Sequence, residues 1–359
     1  MRIIVSAGGT GGHIYPALAI INKLKLEEKS EILFIGTHNR MEKDLIPKEN
    51  IPYQAIEIYG FNKKRIFRNF KNIFLIIKAN YKCKKIMQEF KPDAVIGVGG
   101  YVTYPVIKAA YKLGIKTFIH EQNSIPGKTN KVLAKYANVV FVSFAESAKY
   151  FPKNVRVEVT GNPCGERALT SKPIDKITLG LKPNLKLVLI VSGSLGSQTI
   201  NKIMKEYLFE IDYEKYEVLY ITGKDYYDEF INNEVFPSNV KVVPYIGDFA
   251  ALLKRTDLIV TRAGASTISE ILATEVPSIL IPSPYVSNNH QYFNALELEH
   301  QGVGVILLEG DLTSDKLKKE INHLLYDKNK YQQMKNNFKK IDGQNSSEKI
   351  YLIIKELVK

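Results

Sequence analysis

Two glycine-rich segments near the N-terminus have the residue types that bind phosphate through the backbone. They are residues 8–13 (GGTGGH) and 97–101 (GVGGY), and each follows a short apolar run. Glycine lets backbone N–H groups approach a phosphate closely, and the N-terminus of a following helix adds a favourable dipole. Two such segments predict an extended, phosphate-bearing ligand in the first half of the chain. A tight turn without a ligand is the alternative for each.

Two side chains near these segments could take a proton from a hydroxyl group. His13 ends the first glycine segment, and a neutral imidazole is well suited to general-base catalysis. Glu121, the second candidate base, lies in residues 120–123 (HEQN), a polar segment that ends an apolar run. Polar groups are costly to bury without partners, so such a segment commonly lines a cleft. The alternatives are a histidine that only packs against its loop and a turn whose polar groups bond one another.

The second half of the chain contains three further segments with nucleotide-binding chemistry. Residues 192–197 (SGSLGS) offer amides and hydroxyls to a diphosphate, and they lack the G-K-[ST] sequence of a Walker A loop. Residues 262–270 (RAGASTISE) are small enough for a nucleotide to approach. Glu270 could accept hydrogen bonds from both ribose hydroxyls, or it could be an ordinary solvated carboxylate. Residues 288–291 (NNHQ) are suited to binding sugar hydroxyls.

The first glycine segment does not fit a dinucleotide-binding site. In the frame G-x-G-x-x-G that begins at Gly9, the third glycine position is occupied by Ile14. The second apolar run ends in Ile35 and continues with Gly36 and Thr37, without the acidic residue that would bind a ribose there. A nicotinamide-dependent dehydrogenase is therefore disfavoured.

Short apolar runs alternate along the chain with longer amphipathic stretches, such as residues 16–28 and 198–209. The runs are apolar on both faces and rich in β-branched residues, which is typical of parallel strands covered by helices on both sides. This alternation predicts a doubly wound α/β fold. The predicted strands are residues 3–6, 32–35, 94–98, 117–120, 139–142, 187–191, 218–222, 240–243, 258–261 and 278–281.

The pattern of a strand, a glycine loop and a helix occurs at the start of the chain and again near Leu187. This repetition predicts two Rossmann-like domains that face each other across a cleft. Residues 160–183 contain several glycines and prolines and are the expected join. We expect domains at residues 1–160 and 161–342, and a C-terminal helix at about residues 343–359 that packs back on the first domain.

The chain carries 50 Lys and Arg against 37 Asp and Glu, and its net charge of +13 points to an anionic partner. Residues 61–88 contain nine Lys or Arg, no Asp or Glu, and several large apolar residues. This combination favours an interfacial helix on an anionic membrane, and a buried helix with solvated lysines is the alternative. Nucleic-acid binding is disfavoured, since the cations lie among aliphatic residues and not beside an aromatic stacking platform.

The cysteines favour a reducing compartment, and neither a signal peptide nor a membrane span is expected. Cys83 and Cys164 are far apart and form no C-x-x-C, so neither a disulfide framework nor a zinc site is expected. The N-terminus runs directly into a predicted strand and lacks the apolar core of a signal peptide. No run of about 18 apolar residues is present that could span a bilayer.

Together these motifs resemble the MurG family of N-acetylglucosaminyltransferases, over essentially the whole chain. The matching motifs are those at residues 8–13, 97–101, 120–123, 160–163 (TGNP), 262–270 and 289–291. The resemblance implies an inverting GT-B enzyme that moves N-acetylglucosamine from UDP-GlcNAc to the C4 hydroxyl of MurNAc in undecaprenyl-pyrophosphoryl-MurNAc-pentapeptide (lipid I). The product would be lipid II, which serves peptidoglycan synthesis and hence cell-wall biogenesis, cell shape and cell division.

The resemblance also implies a location and two binding surfaces. We expect a peripheral enzyme at the cytoplasmic face of the bacterial plasma membrane, without a cofactor or a tightly held metal. The N-terminal domain would bind the acceptor through Gly99, Gly100, Tyr101 and Asn130. The residues implied to bind UDP-GlcNAc are Thr10, Gly11, Gly12, Asn123, Ser194, Ile246, Arg262, Ala265, Ser266, Thr267, Ile268, Ser269, Glu270 and Gln291.

Within this donor set the family assigns separate roles to four residues. Ser194 would contact the diphosphate, the backbone of Ile246 the uracil, Glu270 the ribose and Gln291 the sugar. Thr10, Gly11, Gly12 and Asn123 would reach the donor from the other domain.

The chain departs from the family pattern in two places. Many members carry an arginine one or two places after the proline of GNP, where this chain has Cys164 and Gly165, and the nearest arginine is Arg167. The loop usually written GGSQGA has Leu195 in place of the glutamine. Other UDP-sugar enzymes of the same architecture, such as a glycolipid synthase or a UDP-GlcNAc 2-epimerase, are the alternative.

Overall fold

The chain folds into two compact units. The computed structural model describes residues 1–60, 66–192, 197–211, 215–341 and 345–358. The first unit comprises residues 1–164 with the C-terminal helix, and the second comprises residues 165–343. The division after Cys164 lies inside the expected join and slightly beyond the expected boundary at residue 160.

A parallel sheet forms the centre of the first unit. The strands are β1 (Arg2–Ala7), β2 (Glu31–Thr37), β3 (Tyr53–Ile56), β4 (Ala94–Gly99), β5 (Lys116–Glu121), β6 (Val139–Val142) and β7 (Val157–Val159). Within the described residues they pair in the order β3-β2-β1-β4-β5-β6-β7. Ile3 and Val5 belong to the core on one face of the sheet and Ile4 to the core on the other. Burial on both faces explains why the central strands read as continuous apolar runs.

Helices cover both faces of this sheet. They are α1 (Gly11–Glu28), α2 (Glu42–Lys48), α3 (Ile66–Phe90), α4 (Thr103–Lys112) and α5 (Lys128–Leu133). The side chains of Ile14, Ala17 and Ile21 on α1 are fully buried in the same core as Ile3. Those of Val106 and Ala110 on α4 lie in the core with Ile4. The first unit is thus a three-layer α/β structure.

The second unit repeats this architecture. Its strands are β8 (Lys186–Val191), β9 (Tyr216–Ile221), β10 (Val240–Val243), β11 (Leu258–Thr261), β12 (Ser278–Leu280) and β13 (Gly304–Ile306). In its described part they pair in parallel in the order β10-β9-β8-β11-β12-β13. Its helices are α6 (Glu166–Thr170), α7 (Gln198–Phe209), α8 (Tyr227–Ile231), α9 (Phe249–Leu253), α10 (Ala265–Thr274), α11 (His290–His300), α12 (Ser314–Tyr326) and α13 (Lys328–Phe338).

The strand order reverses direction at one place in each sheet, between β1 and β4 and between β8 and β11. In open α/β sheets, ligands bind outside the carboxyl ends of the strands at such a switch point. The two glycine segments of the first half follow β1 and β4. The segment at residues 192–197 follows β8, and the segment at residues 262–270 follows β11. All four motifs therefore occupy the positions where this fold binds ligands.

The C-terminal helix, α14 (Ser346–Val358), packs on the first unit although it follows the second in sequence. Its Ile350 and Ile354 are fully buried in the core that contains α1. Around them, Lys355 pairs with Glu28 at 2.5 Å, and the hydroxyl of Tyr351 donates to the same carboxylate at 2.7 Å. Partly exposed ion pairs contribute little free energy, so the apolar face is what holds the helix in place.

Candidate active site

The two glycine segments of the first unit lie in direct contact. The Gly8 N–H donates to the Gly99 carbonyl at 3.2 Å. Gly99 and Gly100 adopt φ values of +121° and +86°, which favour glycine. A Cβ on Gly100 would lie 2.4 Å from the Gly8 carbonyl oxygen, closer than a side chain can approach. The glycines thus allow the loops after β1 and β4 to form one surface.

The His13 ring packs on this surface in a defined orientation. A Cβ on Gly99 would lie 2.5 Å from His13 Cδ2, so the ring occupies the space that the glycine leaves. His13 Nδ1 lies 3.0 Å from the Gly8 carbonyl oxygen. A carbonyl oxygen can only accept, so Nδ1 must donate, and the neutral ring then carries its lone pair on Nε2. His13 is half-buried, and its tautomer is the one in which Nε2 can accept a proton.

The glycine loop after β1 uses its first two amides internally. The Gly8 N–H bonds to Gly99, and the Gly9 N–H donates to Glu42 Oε2 at 3.1 Å. Thr10 caps the N-terminus of α1, which Gly11 and Gly12 begin, and within the described part of the chain the N–H groups of these three residues make no hydrogen bond. The loop therefore offers an anion the amides at the helix N-terminus, where the helix dipole adds to them.

Glu121 is held by four hydrogen bonds within its own loop. Its Oε1 accepts from the backbone and side-chain N–H groups of Asn123 at 3.0 and 3.1 Å. Its Oε2 accepts from the Gly127 N–H at 3.0 Å and from Asn130 Nδ2 at 2.8 Å. The carboxylate is 2% exposed. With both oxygens engaged by N–H donors, the carboxylate holds its loop in place, and its expected role as a base stays a prediction.

Asn130 and Asn123 belong to the same arrangement. Asn130 is 3% exposed, and its Nδ2 also donates to the His120 carbonyl at 3.2 Å. Its Oδ1 is buried without a hydrogen-bond partner among the described residues, and its role in acceptor binding stays a prediction. Asn123 is half-buried, and its carbonyl accepts from the Ser147 hydroxyl at 3.0 Å. The carboxylate of Glu121 thus orients Asn123 at the edge of the loop.

His120 is fully buried and neutral. Loss of solvation lowers its pKa to about 4, and a hydrogen bond to the Gly161 carbonyl opposes the shift. Its Nε2 donates to that carbonyl at 3.1 Å, and its Nδ1 accepts from Gln122 Nε2 at 3.0 Å. His120 therefore fixes the segment that follows β7 and does not exchange protons near neutral pH.

Tyr101, the last residue of the second glycine segment, is half-buried beside an exposed arginine. Its hydroxyl lies 3.4 Å from Nε of Arg40, in the loop between β2 and α2. The proximity of Tyr101 raises the pKa of Arg40. Arg40 adds a positive charge near the glycine loops that sequence reasoning missed.

In the second unit, Glu270 is a carboxylate with a strongly perturbed pKa. It lies on α10, and a Cβ on Gly165 would come within 2.5 Å of the Ser269 carbonyl oxygen, so glycine permits α6 to pack closely. Loss of solvation raises the pKa of Glu270 to about 7. The positive charge of Arg167 opposes this shift, and the negative charge of Asp248 adds to it. Carboxylates perturbed in this way cluster at binding and catalytic sites.

Arg262 forms a buried ion pair inside the second unit. Its Nη1 lies 2.6 Å from Glu309 Oε2 and donates to the Ile281 carbonyl at 3.1 Å. Its Nη2 donates to the Ser197 hydroxyl at 3.1 Å, which links the loop after β11 to the start of α7. The guanidinium is engaged by protein groups, so Arg262 positions two loops. Its expected contact with the donor stays a prediction.

The other residues of the segment at 262–270 divide into two groups. Ala265 and Ile268 are 9% and 1% exposed, so their side chains are buried in the core. Ser269 is also buried, and its hydroxyl donates to the Ser266 carbonyl at 2.7 Å. Ser266 and Thr267 are half-buried in the first turn of α10. The N-terminus of α10 supplies the dipole that suits a diphosphate.

Of three further expected donor contacts, Ile246 lies in a loop and Gln291 in a helix, and both are half-buried. Ile246 is half-buried in the loop before α9. Gln291 is half-buried in α11, and its Oε1 accepts from the Ser283 N–H at 2.8 Å, which aims the amide nitrogen away from that backbone. Ser194 lies outside the described residues.

Family models match most of the chain. The glycosyltransferase family 28 N-terminal domain matches residues 3–142, and the glycosyltransferase family 28 C-terminal domain matches residues 187–356. The chain belongs to glycosyltransferase family 28.

Individual members of family 28 are similar over the full length. The UDP-N-acetylglucosamine--N-acetylmuramyl-(pentapeptide) pyrophosphoryl-undecaprenol N-acetylglucosamine transferase of Bacillus licheniformis is 45% identical, with 99% of both chains covered. The transferase of the same name from Halalkalibacterium halodurans is 42% identical over all of both chains. The crystal structure of Acinetobacter baumannii MurG aligns with a TM-score of 0.80 at 28% identity and covers 99% of both chains.

Two acidic residues that were not predicted from the sequence support the family 28 motifs in this chain. Glu42 and Glu309 are both buried acids, and each engages a loop that carries a motif. Both lie outside the motifs, in segments that read as ordinary amphipathic or turn sequence. An isolated acid within such a segment gives no sign that it is buried.

Proposed function

We propose that this chain transfers N-acetylglucosamine from UDP-GlcNAc to the C4 hydroxyl of MurNAc in undecaprenyl-pyrophosphoryl-MurNAc-pentapeptide. The observation that carries the proposal is full-length identity of 42–45% to transferases with this name, together with the oriented His13. The product is lipid II, the disaccharide-bearing lipid used in peptidoglycan synthesis.

On the acceptor side, His13 acts as the general base. Its Nε2 takes the proton of the C4 hydroxyl while the hydroxyl oxygen attacks the anomeric carbon of the donor. The bond from that carbon to the UDP oxygen breaks in the same displacement, and the configuration inverts. The hydrogen bond from Nδ1 to the Gly8 carbonyl fixes the tautomer and stabilises the imidazolium that forms. Gly99, Gly100 and Tyr101 form the surface beside it.

On the donor side, the second unit binds UDP. Glu270 accepts hydrogen bonds from the ribose hydroxyls, the backbone near Ile246 binds the uracil, and Gln291 binds the sugar. The N-termini of α7 and α10 stabilise the charge that develops on the leaving diphosphate. Arg167 adds a cation beside Glu270 and takes the place of the family arginine that is missing after the GNP sequence.

A face of α3 docks on the membrane. Ile73, Phe74, Ile77 and Tyr81 are exposed at spacings that place them on one side of the helix, with fractional exposures of 48% to 74%. Lys78, Lys82 and Lys85 are exposed on the same helix. Residues 61–65 and the side chains of 66–71 lie outside the described part of the chain.

Attachment through this face suits a peripheral protein on the cytoplasmic leaflet, where anionic lipids attract cations. No helix among the described residues has the length and apolar character needed to cross a bilayer.

We expect replacement of Phe74 and Ile77 by serine to weaken binding to anionic phospholipid vesicles by at least about tenfold, since two apolar side chains no longer enter the interface. Sedimentation with vesicles measures the effect, and activity on a water-soluble acceptor analogue should not change. Leu26→Ser is the control, because Leu26 is 78% exposed on α1, outside the basic segment. Unchanged vesicle binding by the double variant would rule out this docking face.

UDP release tests the reaction. We expect release from UDP-GlcNAc only when a lipid-pyrophosphoryl-MurNAc-pentapeptide acceptor is present. An epimerase needs no acceptor, so release of UDP or formation of a new UDP-sugar without it would favour the alternative. Release with diacylglycerol as acceptor would favour a glycolipid synthase.

A further inference from the structure

Glu42 is a fully buried carboxylate beneath the loops of the first unit. It is the first residue of α2, and its side chain has no exposed surface. Two glycines make room for it, since a Cβ on Gly8 would lie 2.7 Å from Oε1 and a Cβ on Gly36 would lie 2.7 Å from Cγ. Burying a charge costs free energy unless hydrogen bonds compensate.

Within the described residues, the partners of Glu42 lie at the end of β2 and in the loop after β1. Oε1 accepts from the Thr37 N–H at 3.0 Å and from the Thr37 hydroxyl at 2.6 Å, at the end of β2. Oε2 accepts from the Gly9 N–H at 3.1 Å, in the loop after β1. Gly9 has φ of +99°, so the loop backbone is held in a conformation that few residues adopt. One carboxylate thus joins two adjacent loops.

This connection has two consequences for an anionic ligand. The Gly9 N–H already donates to Glu42, so it is not available to a ligand. The negative charge of that carboxylate also disfavours an anion next to Gly9. The anion is therefore directed to the amides of Thr10 to Gly12 at the start of α1. The same carboxylate bonds to Thr37 and so joins the two ends of the segment at residues 37–42. In that conformation Arg40 lies beside Tyr101.

We propose that Glu42 is a positioning residue for the acceptor, an inference that rests on the function proposed above. Its ionised carboxylate holds the loop after β1 in register with the loop after β2. The His13 ring then keeps the geometry that the acceptor hydroxyl requires, and the amides of Thr10 to Gly12 keep theirs toward an anionic ligand. A displacement of about 1 Å in such a geometry can cost about 100-fold in rate.

Glu42→Gln tests the proposal, because one of its two terminal atoms becomes an N–H donor and faces either Gly9 or Thr37. We expect kcat to fall about 10- to 100-fold and KM for the acceptor to rise, while UDP binding by the second unit is unchanged. Amide hydrogen exchange should rise in residues 8–12 and 37–42 and not across the whole unit. Glu49→Gln, the same change at an exposed position on the other end of α2, should match the wild type.

Wild-type kcat and KM in Glu42→Gln would overturn the proposal, as would exchange that rises throughout the first unit. If Glu42→Gln does not fold, Glu42→Asp retains the charge but its carboxylate is one methylene too short to reach both loops. A loss of turnover with local exchange in Glu42→Asp supports the role, and full activity overturns it. The acceptor-dependent UDP release of the wild type is measured first, so failure of the proposed function is seen separately.

Discussion

Replacement of His13 by alanine is expected to lower kcat by about 100-fold or more. Without Nε2 no group in this arrangement takes the proton of the C4 hydroxyl as it attacks, and general-base catalysis typically contributes 10²- to 10⁴-fold. The carboxylate of Glu121 is engaged by four N–H donors of its own loop, so we expect it not to replace His13. Steady-state turnover at saturating donor and acceptor measures the effect.

His13→Asn separates catalysis from packing. The asparagine amide can donate to the Gly8 carbonyl as Nδ1 does, but it has no basic nitrogen in place of Nε2. We expect this variant to bind both substrates and to be as slow as the alanine variant. Turnover near the wild-type level in either variant would reject His13 as the base.

Binding of UDP-GlcNAc is expected to weaken about tenfold as the pH falls from 8 to 6. Burial raises the pKa of Glu270 to about 7, so the carboxylate is mostly ionised at pH 8 and mostly protonated at pH 6. Hydrogen bonds from the ribose hydroxyls favour the ionised form, so the proton and the donor compete. Calorimetry with UDP-GlcNAc suits the measurement, since its pyrophosphate does not titrate in this range.

Glu270→Gln should bind UDP-GlcNAc about 10- to 100-fold more weakly at pH 8 and should lose the pH dependence, because hydrogen bonds to a charged group are worth about 1.5–3 kcal/mol each. A raised carboxyl pKa means that stability is lost as the pH rises from the ordinary value of 4.5 through 7. The glutamine variant escapes this cost, about 3 kcal/mol above pH 7, and should be more stable than the wild type.

Glu229→Gln, at an exposed position on α8, is the matched control for Glu270→Gln. It should keep the wild-type affinity and pH profile. A wild-type profile in Glu270→Gln, or an affinity for UDP-GlcNAc that does not depend on pH in the wild type, would contradict the role of Glu270.

Periodicity in the sequence predicts the central strands of both sheets and one edge strand, β10, and misses the other three edge strands. The ten predicted strands are all present, and most extend by a residue or two beyond the predicted bounds. The missed strands are β3, β7 and β13, which have three or four residues each and are only partly buried. Each lies at an edge of its sheet, where one side lacks a neighbouring strand. A short, half-exposed strand does not produce a continuous apolar run.

The positions of the motifs could also be predicted, but the roles of several residues could not. The glycine segments follow the strands at the switch points, as glycine loops of this fold do. Glu121, Asn130 and Arg262 have side chains that could bind a ligand, yet each also contacts protein groups, through both oxygens of Glu121, through Nδ2 of Asn130 and through the guanidinium of Arg262. Their partners come from other loops or strands, so only the folded structure shows whether a polar side chain is available.

The linkage formed in the product tests the central proposal most directly. Purified protein is given UDP-GlcNAc labelled with ¹³C at the anomeric carbon and a lipid-pyrophosphoryl-MurNAc-pentapeptide, and the product is analysed by NMR and mass spectrometry. We predict a single labelled GlcNAc joined by a β linkage to C4 of the muramoyl sugar, with one UDP released for each transfer. An unchanged muramoyl lipid beside free UDP, an α linkage, or label found only in a different UDP-sugar would contradict it.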